Sequence, residues 1–426
     1  MDEAKGDPRR WEHLGMLVSL TVCSHMGWVM YATVPSRTGD ALDVSQTAVT
    51  LTATVYPALS LVGSWVASRA LGRGGLRGAL VETCWLMVIG GLLRCAGAAV
   101  GGRVGFAIVL CGQTLCGLGQ PHVVNNPVTL GNEWFPVAER ETASTVGLLG
   151  DILGQAIGEA LAPIVVERSG IFALSVAYLA PVVATAVWVY ARFENRLPPR
   201  GPTDLFSAWR RALDDVEFRI LALTFWLGLS VFNTVLSLAS QWLHRCGYSA
   251  TEVGFFAATF VLAGAPASLF AALSLDSTRA YRPLLKGLGL FDMVATLVLA
   301  GATRPRNALL LFLSFGLLGA SLVATAFTLI ETAVECLHPT PPEISTSLLF
   351  VGGNLLSIPV TYVFLALLRA DRCHPADHFL RHPLSGTPPP PTTTFIICVF
   401  ACCLALLLLY RGPYRRLEAE TQQRVV

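Results

Sequence analysis

Apolar residues along this chain gather into runs of roughly 20 or more, the length a helix needs to cross a hydrocarbon core. Six lie near residues 11–36, 45–68, 78–100, 103–126, 141–166 and 170–191. Six more lie near 217–243, 251–274, 284–303, 307–335, 345–368 and 392–410. Between the sets stands one long polar stretch, RFENRLPPRGPTDLFSAWRRALDDVEFR. The pattern predicts an all-α polytopic membrane protein with twelve transmembrane helices in two six-helix bundles. The first bundle is expected over residues 1–192, a linker over 193–216, and the second bundle with a short tail over 217–426. The first fifteen residues are polar, and the apolar run behind them reaches about Val34. That is longer than a signal-peptide core, so it reads as a retained span.

Basic residues set the orientation of such a bundle, because Lys and Arg accumulate on the cytoplasmic side. With both termini inside, the inner segments hold twenty Lys or Arg and the outer loops nine, with Arg94 inside a span. Both termini are therefore expected in the cytoplasm, and the plasma membrane is the expected location.

Composition agrees with this reading and removes several classes of function. Of 426 residues, 53% are hydrophobic and 14% charged, where a soluble domain carries about a quarter charged. A net charge of +2 gives no footprint for a nucleic-acid partner. No Gly-Lys-Ser or Gly-Lys-Thr triplet is present, so no nucleotide drives the protein. No Cys-x-x-Cys pair occurs among the eleven cysteines, which argues against a structural zinc; no metal site and no cofactor are expected. The partners that remain are a small-molecule solute and the lipid bilayer, with the monomer as the working form.

The two halves echo each other. LGRGGLRGAL (71–80) follows the second run, and LSLDSTRAYRPLL (273–285) follows the eighth. Six plus six spans with this pair of short basic loops resembles the major facilitator superfamily. The first copy departs from that family's pattern with Gly72 in place of an Asp, while the second keeps Asp276. A longer signature is QTLCGLGQPHVVNNPVTLGNEWFPVAERETAS (113–144), joined by Trp28-x-x-Tyr31, GLR (75–77), LDSTRAY (275–281), TAVEC (332–336) and PYRRLEAE (413–420). Together these resemble solute carrier family forty-nine, the feline leukaemia virus subgroup C receptor group, and the tail is most similar to its third branch. The resemblance implies a facilitator for choline-like, haem or vitamin solutes. In choline-transporting members an aromatic residue of span one boxes the quaternary ammonium, and Trp28 matches it. A fifth-span Gln of those members falls on Ile152 here, and an eleventh-span Gln falls on Asn354.

Span five carries the densest chemistry. Gly150, Gly154 and Gly158 recur every four residues, a row that lets a neighbouring helix approach closely. Beside it, Asp151, Gln155 and Glu159 recur with the same spacing and form a polar stripe. Asp151 is about ten residues into the span, roughly 15 Å deep at 1.5 Å per residue. A charge at that depth costs about 2.5–3.5 kcal/mol on insertion scales, so it faces either a wet cavity or a partner, for which Arg94 is the candidate. Trp28 and Tyr31, with His25 a turn earlier, are expected to form an aromatic patch suited to cations and flat molecules. Gln113, Gln120, Asn125 and Asn126 are either cavity lining or interhelical glue. The expected substrate set is Trp28, Tyr31, Gln113, Asn125, Asp151, Gln155 and Asn354.

A gating set is expected where loops meet span ends: Arg77, Asp276, the block Trp134, Glu139 and Arg140, and Glu331 with Glu335. The loop 369–390 holds His374, His378 and His382, but Pro375 and Pro383 oppose a long helix there, and the segment reads as solvated loop. Cys246 and Cys373 both fall in outer loops. The sequence thus points to a secondary or facilitative transporter working by alternating access, with its solute site near the midplane, and not to an enzyme. The rival reading is a non-transporting receptor or scaffold of the same fold, which would have no use for a buried Asp.

Overall fold

The computed structural model describes residues 8–135, 140–196, 198, 204–278, 280–302, 307–338, 340, 342–370, 390–412 and 415. They form two compact helical units, residues 1–204 and 205–426. Unit 1 contains α1 (Arg9–Val29), α2 (Pro35–Leu42), α3 (Gln46–Val100), α4 (Gly102–Val124), α5 (Pro127–Trp134) and α6 (Arg140–Arg192). Unit 2 contains α7 (Leu205–Asp214), α8 (Val216–Leu243), α9 (Ala250–Leu262), α10 (Gly264–Thr278), α11 (Tyr281–Ala302), α12 (Ala308–Leu337), α13 (Pro342–Ala370) and α14 (Pro391–Leu409).

Nine described helical segments, with α9 and the start of α10 counted together as one (Ala250–Ala271), are long and apolar enough to cross a membrane. Two of these are double. In α3 the chain turns at Gly75 (φ +65°), and in α6 at Gly170 (φ +77°), so each long helix is two spans joined end to end. Only glycine adopts that backbone without a steric penalty. The span of α1 completes the twelve. It is less apolar than the others because His13, Thr21, Ser24 and His25 interrupt it, and all four are buried against neighbouring helices.

Local signals set the helix starts. Ser45 accepts from the Ala48 amide at α3, Asp215 from the Glu217 and Phe218 amides at α8, and Asn307 from the Leu310 amide at α12. Ser249 and Glu252 form a reciprocal capping box at α9. The polar stretch between the sets of spans contains α7, an amphipathic helix. It buries Ala208, Trp209 and Ala212, and the Trp209 indole donates to Ser347 Oγ of α13 at 3.2 Å.

The glycine row of α6 faces α1. A Cβ at Gly158 would stand 2.6 Å from Val29 Cγ2, one at Gly150 would stand 3.1 Å from Thr21 Cβ, and one at Gly154 would meet the Val22 carbonyl and His25. The row therefore sets how close the two helices come. Gly158→Val should push them apart and destabilise unit 1 by about 1–3 kcal/mol, the usual overpacking penalty. Gly301→Val, where a Cβ meets nothing within 4 Å among the described residues, is the matched control. Thermal unfolding of the purified variants checks this; equal midpoints for both would show that the row does not control the spacing.

Candidate functional site

The approach of α1 to α6 places His25 against the polar stripe. His25 Nε2 is 2.9 Å from Asp151 Oδ1, and Gln155, one turn on, donates its amide to the same oxygen. Further along, Thr33 donates to Glu159 Oε2 at 2.8 Å. At about 100° per residue, the Asp151, Gln155 and Glu159 stripe lies roughly opposite the line of Leu153, Ile157 and Leu161. Leu153 and Leu161 are exposed, whereas Gln155 and Glu159 are buried and the Asp151 side chain is only 25% exposed. The stripe thus faces the interior side of the helix, and Asp151 is its accessible member.

Arg94 is not the partner of Asp151. Its guanidinium is fully buried, donates to Tyr56 Oη at 2.6 Å, and lies 4.4 Å from the Tyr178 ring centre. The rings of span two and span six hold this cation through a hydrogen bond and a cation–π contact, which leaves Asp151 to His25. The residues of the expected aromatic patch also diverge. Trp28 donates to the Ala53 carbonyl of α3 at 3.0 Å, Tyr31 pairs with Ser175 of α6 at 2.7 Å, and His25 turns to Asp151. Trp28 and Tyr31 are both buried. Three neighbours draw the side chains apart, because each carries a polar atom that a buried position must satisfy.

Gln113 is buried and donates to the Thr52 carbonyl at 2.9 Å, tying α4 to α3. Asn125 caps the end of α4. Ile152, beside the stripe, is buried. Asn354 belongs to unit 2, where it accepts from Asn233 Nδ2 at 3.0 Å. Thr234, the next residue of α8, pairs with Thr361, about two turns beyond Asn354 on α13, at 2.9 Å.

Of the gating set, Arg77 is tied within unit 1: its Nε donates to the Phe193 carbonyl at 2.8 Å, and its amide to Asn195 Oδ1 at 2.7 Å. Trp134 is buried against the His13 ring, with the Arg196 guanidinium 5.6 Å from its own ring centre. Arg140 begins α6, and Asp276 lies in the last turn of α10. Glu331 is exposed, and Glu335 is buried, accepting from Tyr281 at 3.5 Å. Glu139, His374, His378 and His382 lie outside the described residues. Cys246 is disulfide-bonded, nine other cysteines are free, and Cys373 lies outside the described residues. No cluster of metal-ligating side chains occurs among the described residues.

Two groups escaped the sequence reading. His25 was placed in the aromatic patch, and its pairing with Asp151 was not foreseen. Asp292 of α11 is 3% exposed and accepts from Thr325 of α12 at 2.8 Å. The rule that exposed Asp151, a lone carboxylate deep in an apolar run, applies equally to Asp292 within 284–303.

A bundle of long helices with a few buried polar contacts is the architecture of a membrane transporter, and the comparisons agree. The profile of the Major Facilitator Superfamily matches residues 17–366, and the chain belongs to that superfamily. It is an integral, multi-pass membrane protein that moves a small solute. Within the superfamily the similarity lies with solute carrier family 49. The chain is 28% identical to solute carrier family 49 member A3 of Xenopus tropicalis over 378 residues, covering 85% of this chain and 78% of that one. It is 25% identical to the choline/ethanolamine transporter flvcr2a of Danio rerio, covering 83% and 80%. The crystal structure of a D-xylose-proton symporter superposes with a TM-score of 0.70 at 13% identity, covering 94% of this chain and 98% of that one, which shows a shared fold.

The contacts yield a coupling test. In a double-mutant cycle of protein stability, His25→Gln and Asp151→Asn should be non-additive by about 0.5–3 kcal/mol. Asp151→Asn with Arg94→Gln should be additive to within about 0.5 kcal/mol. Rescue of Asp151→Asn by Arg94→Gln would contradict the pairing.

Proposed function

We propose that this protein carries a small organic cation of the choline or ethanolamine class across the plasma membrane by alternating access, as a monomer with both termini in the cytoplasm. The observation that carries this reading is Asp151. It is a carboxylate far inside a span, on the interior face of α6, held by His25 and Gln155 yet still a quarter exposed. A carboxylate that must be kept at that depth needs a use, because its insertion is costly. A cation is the ligand whose charge it offsets. The names of several relatives, choline/ethanolamine transporters, support the same class.

The choline-box landmarks are only partly kept. Trp28 supplies the aromatic ring, whose face attracts a quaternary ammonium. Ile152 and Asn354 stand where those relatives' pattern has glutamines. The carboxylate of Asp151, one residue from Ile152, is in place to take over the polar role on α6. Such an exchange favours a solute with a full positive charge over a merely polar one. Gln113 and Asn125 belong to the same reading as supports of α4, Arg77 and Trp134 as residues that hold the loop ends of unit 1, and Arg140 and Asp276 as members of the gating set.

Uptake of labelled choline, ethanolamine, pyridoxine and a haem analogue into proteoliposomes tests the class. Choline or ethanolamine should accumulate above protein-free vesicles, and Asp151→Asn should reduce that uptake at least tenfold, about 1.4 kcal/mol of lost interaction. Preferential uptake of an uncharged or anionic solute would overturn the cation reading.

A further inference from the structure

The neighbours of His25 fix its tautomer. Nδ1 is 3.0 Å from the carbonyl oxygen of Thr21, which can only accept, so Nδ1 carries a hydrogen. Nε2 faces Asp151 Oδ1 at 2.9 Å. Without a hydrogen between them, a nitrogen lone pair would point at a carboxylate oxygen, which is repulsive. One proton therefore stands in that contact. The pair is an imidazolium against a carboxylate, or a neutral imidazole against a carboxylic acid, and both are neutral overall. The Gln155 amide on the same oxygen favours the first description, since donors stabilise a carboxylate. The His25 side chain is 5% exposed and that of Asp151 25%, so the proton's way out runs past Asp151.

Other titratable groups approach this place from each packed element. On α6, Glu159 is held by Thr33, and Tyr178 lies across Gly27. From α3 come Arg94 and Tyr56, which bond each other, and from α4 comes Cys116, which accepts from Tyr178. On α1 itself are Cys23 and Tyr31, the latter on Ser175. The groups on α2 (Arg37, Asp40) follow the far end of α1, and Glu133 of α5 precedes the start of α6. Among the described residues, none of these stands between His25 and Asp151.

We propose that the His25–Asp151 pair is a proton site that exchanges its proton for the positive charge of the solute. This rests on the cation reading given above. When the pair is protonated, the carboxylate already has its counter-charge and offers little to a second cation. When the proton leaves to water past Asp151, neutral His25 and anionic Asp151 carry a net charge of −1 at a depth where a bare charge is costly. An arriving ammonium restores neutrality. One positive charge departs for each that binds, so charge balances, and each ligand weakens the other by the same factor.

The test uses the full chain in nanodiscs. Without solute, infrared difference spectra between about pH 5 and 8.5 should contain bands that titrate together, with the carboxylate component lost in Asp151→Asn and the imidazole component lost in His25→Gln. With choline as the probe, binding should tighten by about tenfold per pH unit while the pair remains protonated, and about one proton should be released per choline bound. In His25→Gln the affinity should become independent of pH and proton release should vanish. Choline binding that is pH-independent in the wild type, or that releases no proton, overturns the exchange while leaving the cation reading intact. Absence of any titrating band from the pair in the wild type also overturns it, whatever the cargo. Titrating bands with no choline binding at any pH would uphold the proton site and remove the cation reading.

Discussion

The close packing of α1 on the glycine row of α6 is the contact on which the chemistry of unit 1 depends. In hydrocarbon no solvent drives helices together, so small residues that let backbones approach do the work of a hydrophobic core. Gly150, Gly154 and Gly158 bring α1 near enough for His25 to reach Asp151 and for Thr33 to reach Glu159. Larger side chains on that row would hold the imidazole away from the carboxylate and leave both without their partner. Packing and charge compensation are thus one constraint in this pair of helices.

The same constraint explains how the bundle keeps a fully buried arginine. Among the described residues Arg94 has no carboxylate partner; it has a phenol oxygen at 2.6 Å, a tyrosine ring at 4.4 Å and the Met30 sulfur at 3.8 Å. The aromatic faces supply negative potential without adding a second charge to desolvate. Unit 2 uses neutral polar bridges, Asn233 to Asn354 and Thr234 to Thr361, both between α8 and α13. These are neutral pairs, of the kind measured at about 0.6 kcal/mol on average between membrane helices. They fix register more than they add stability.

Much of the fold was legible because a bilayer makes length and apolarity sufficient evidence for a span. The runs at 45–68 and 78–100 became the two halves of α3, and the glycine between them is the one the loop motif GLR contains. Asp151 was legible for the same reason, as a charge where charges are expensive. Its partner was not. Arg94 was the attractive guess because opposite charges pair, but sequence spacing does not say which face of span three the arginine occupies, and tyrosines on spans two and six claimed it first. Trp28 and Tyr31 are three residues apart and share a face of an ideal helix, yet α1 ends at Val29, so Tyr31 leaves that face and turns to Ser175. Asp292 follows the same rule as Asp151, a carboxylate inside an apolar run.

Asp151, Glu159 and Asp292 are carboxylates far inside their spans, and their surroundings separate their roles. Glu159 and Asp292 are almost fully buried, each receives a threonine hydroxyl at 2.8 Å, and each has a second oxygen without a hydrogen-bond partner among the described residues. Asp151 instead receives an imidazole and an amide and keeps part of its surface open. A group that exchanges a ligand needs both donors to hold its charge and a path for the ligand to reach it. Only Asp151 among the three has both. The threonine-held acids meet neither demand fully, which suits them to joining helices: Glu159 ties α6 to the end of span one, and Asp292 ties α11 to α12. The distinction lies in local donors and access, two properties that depth in the membrane alone does not reveal.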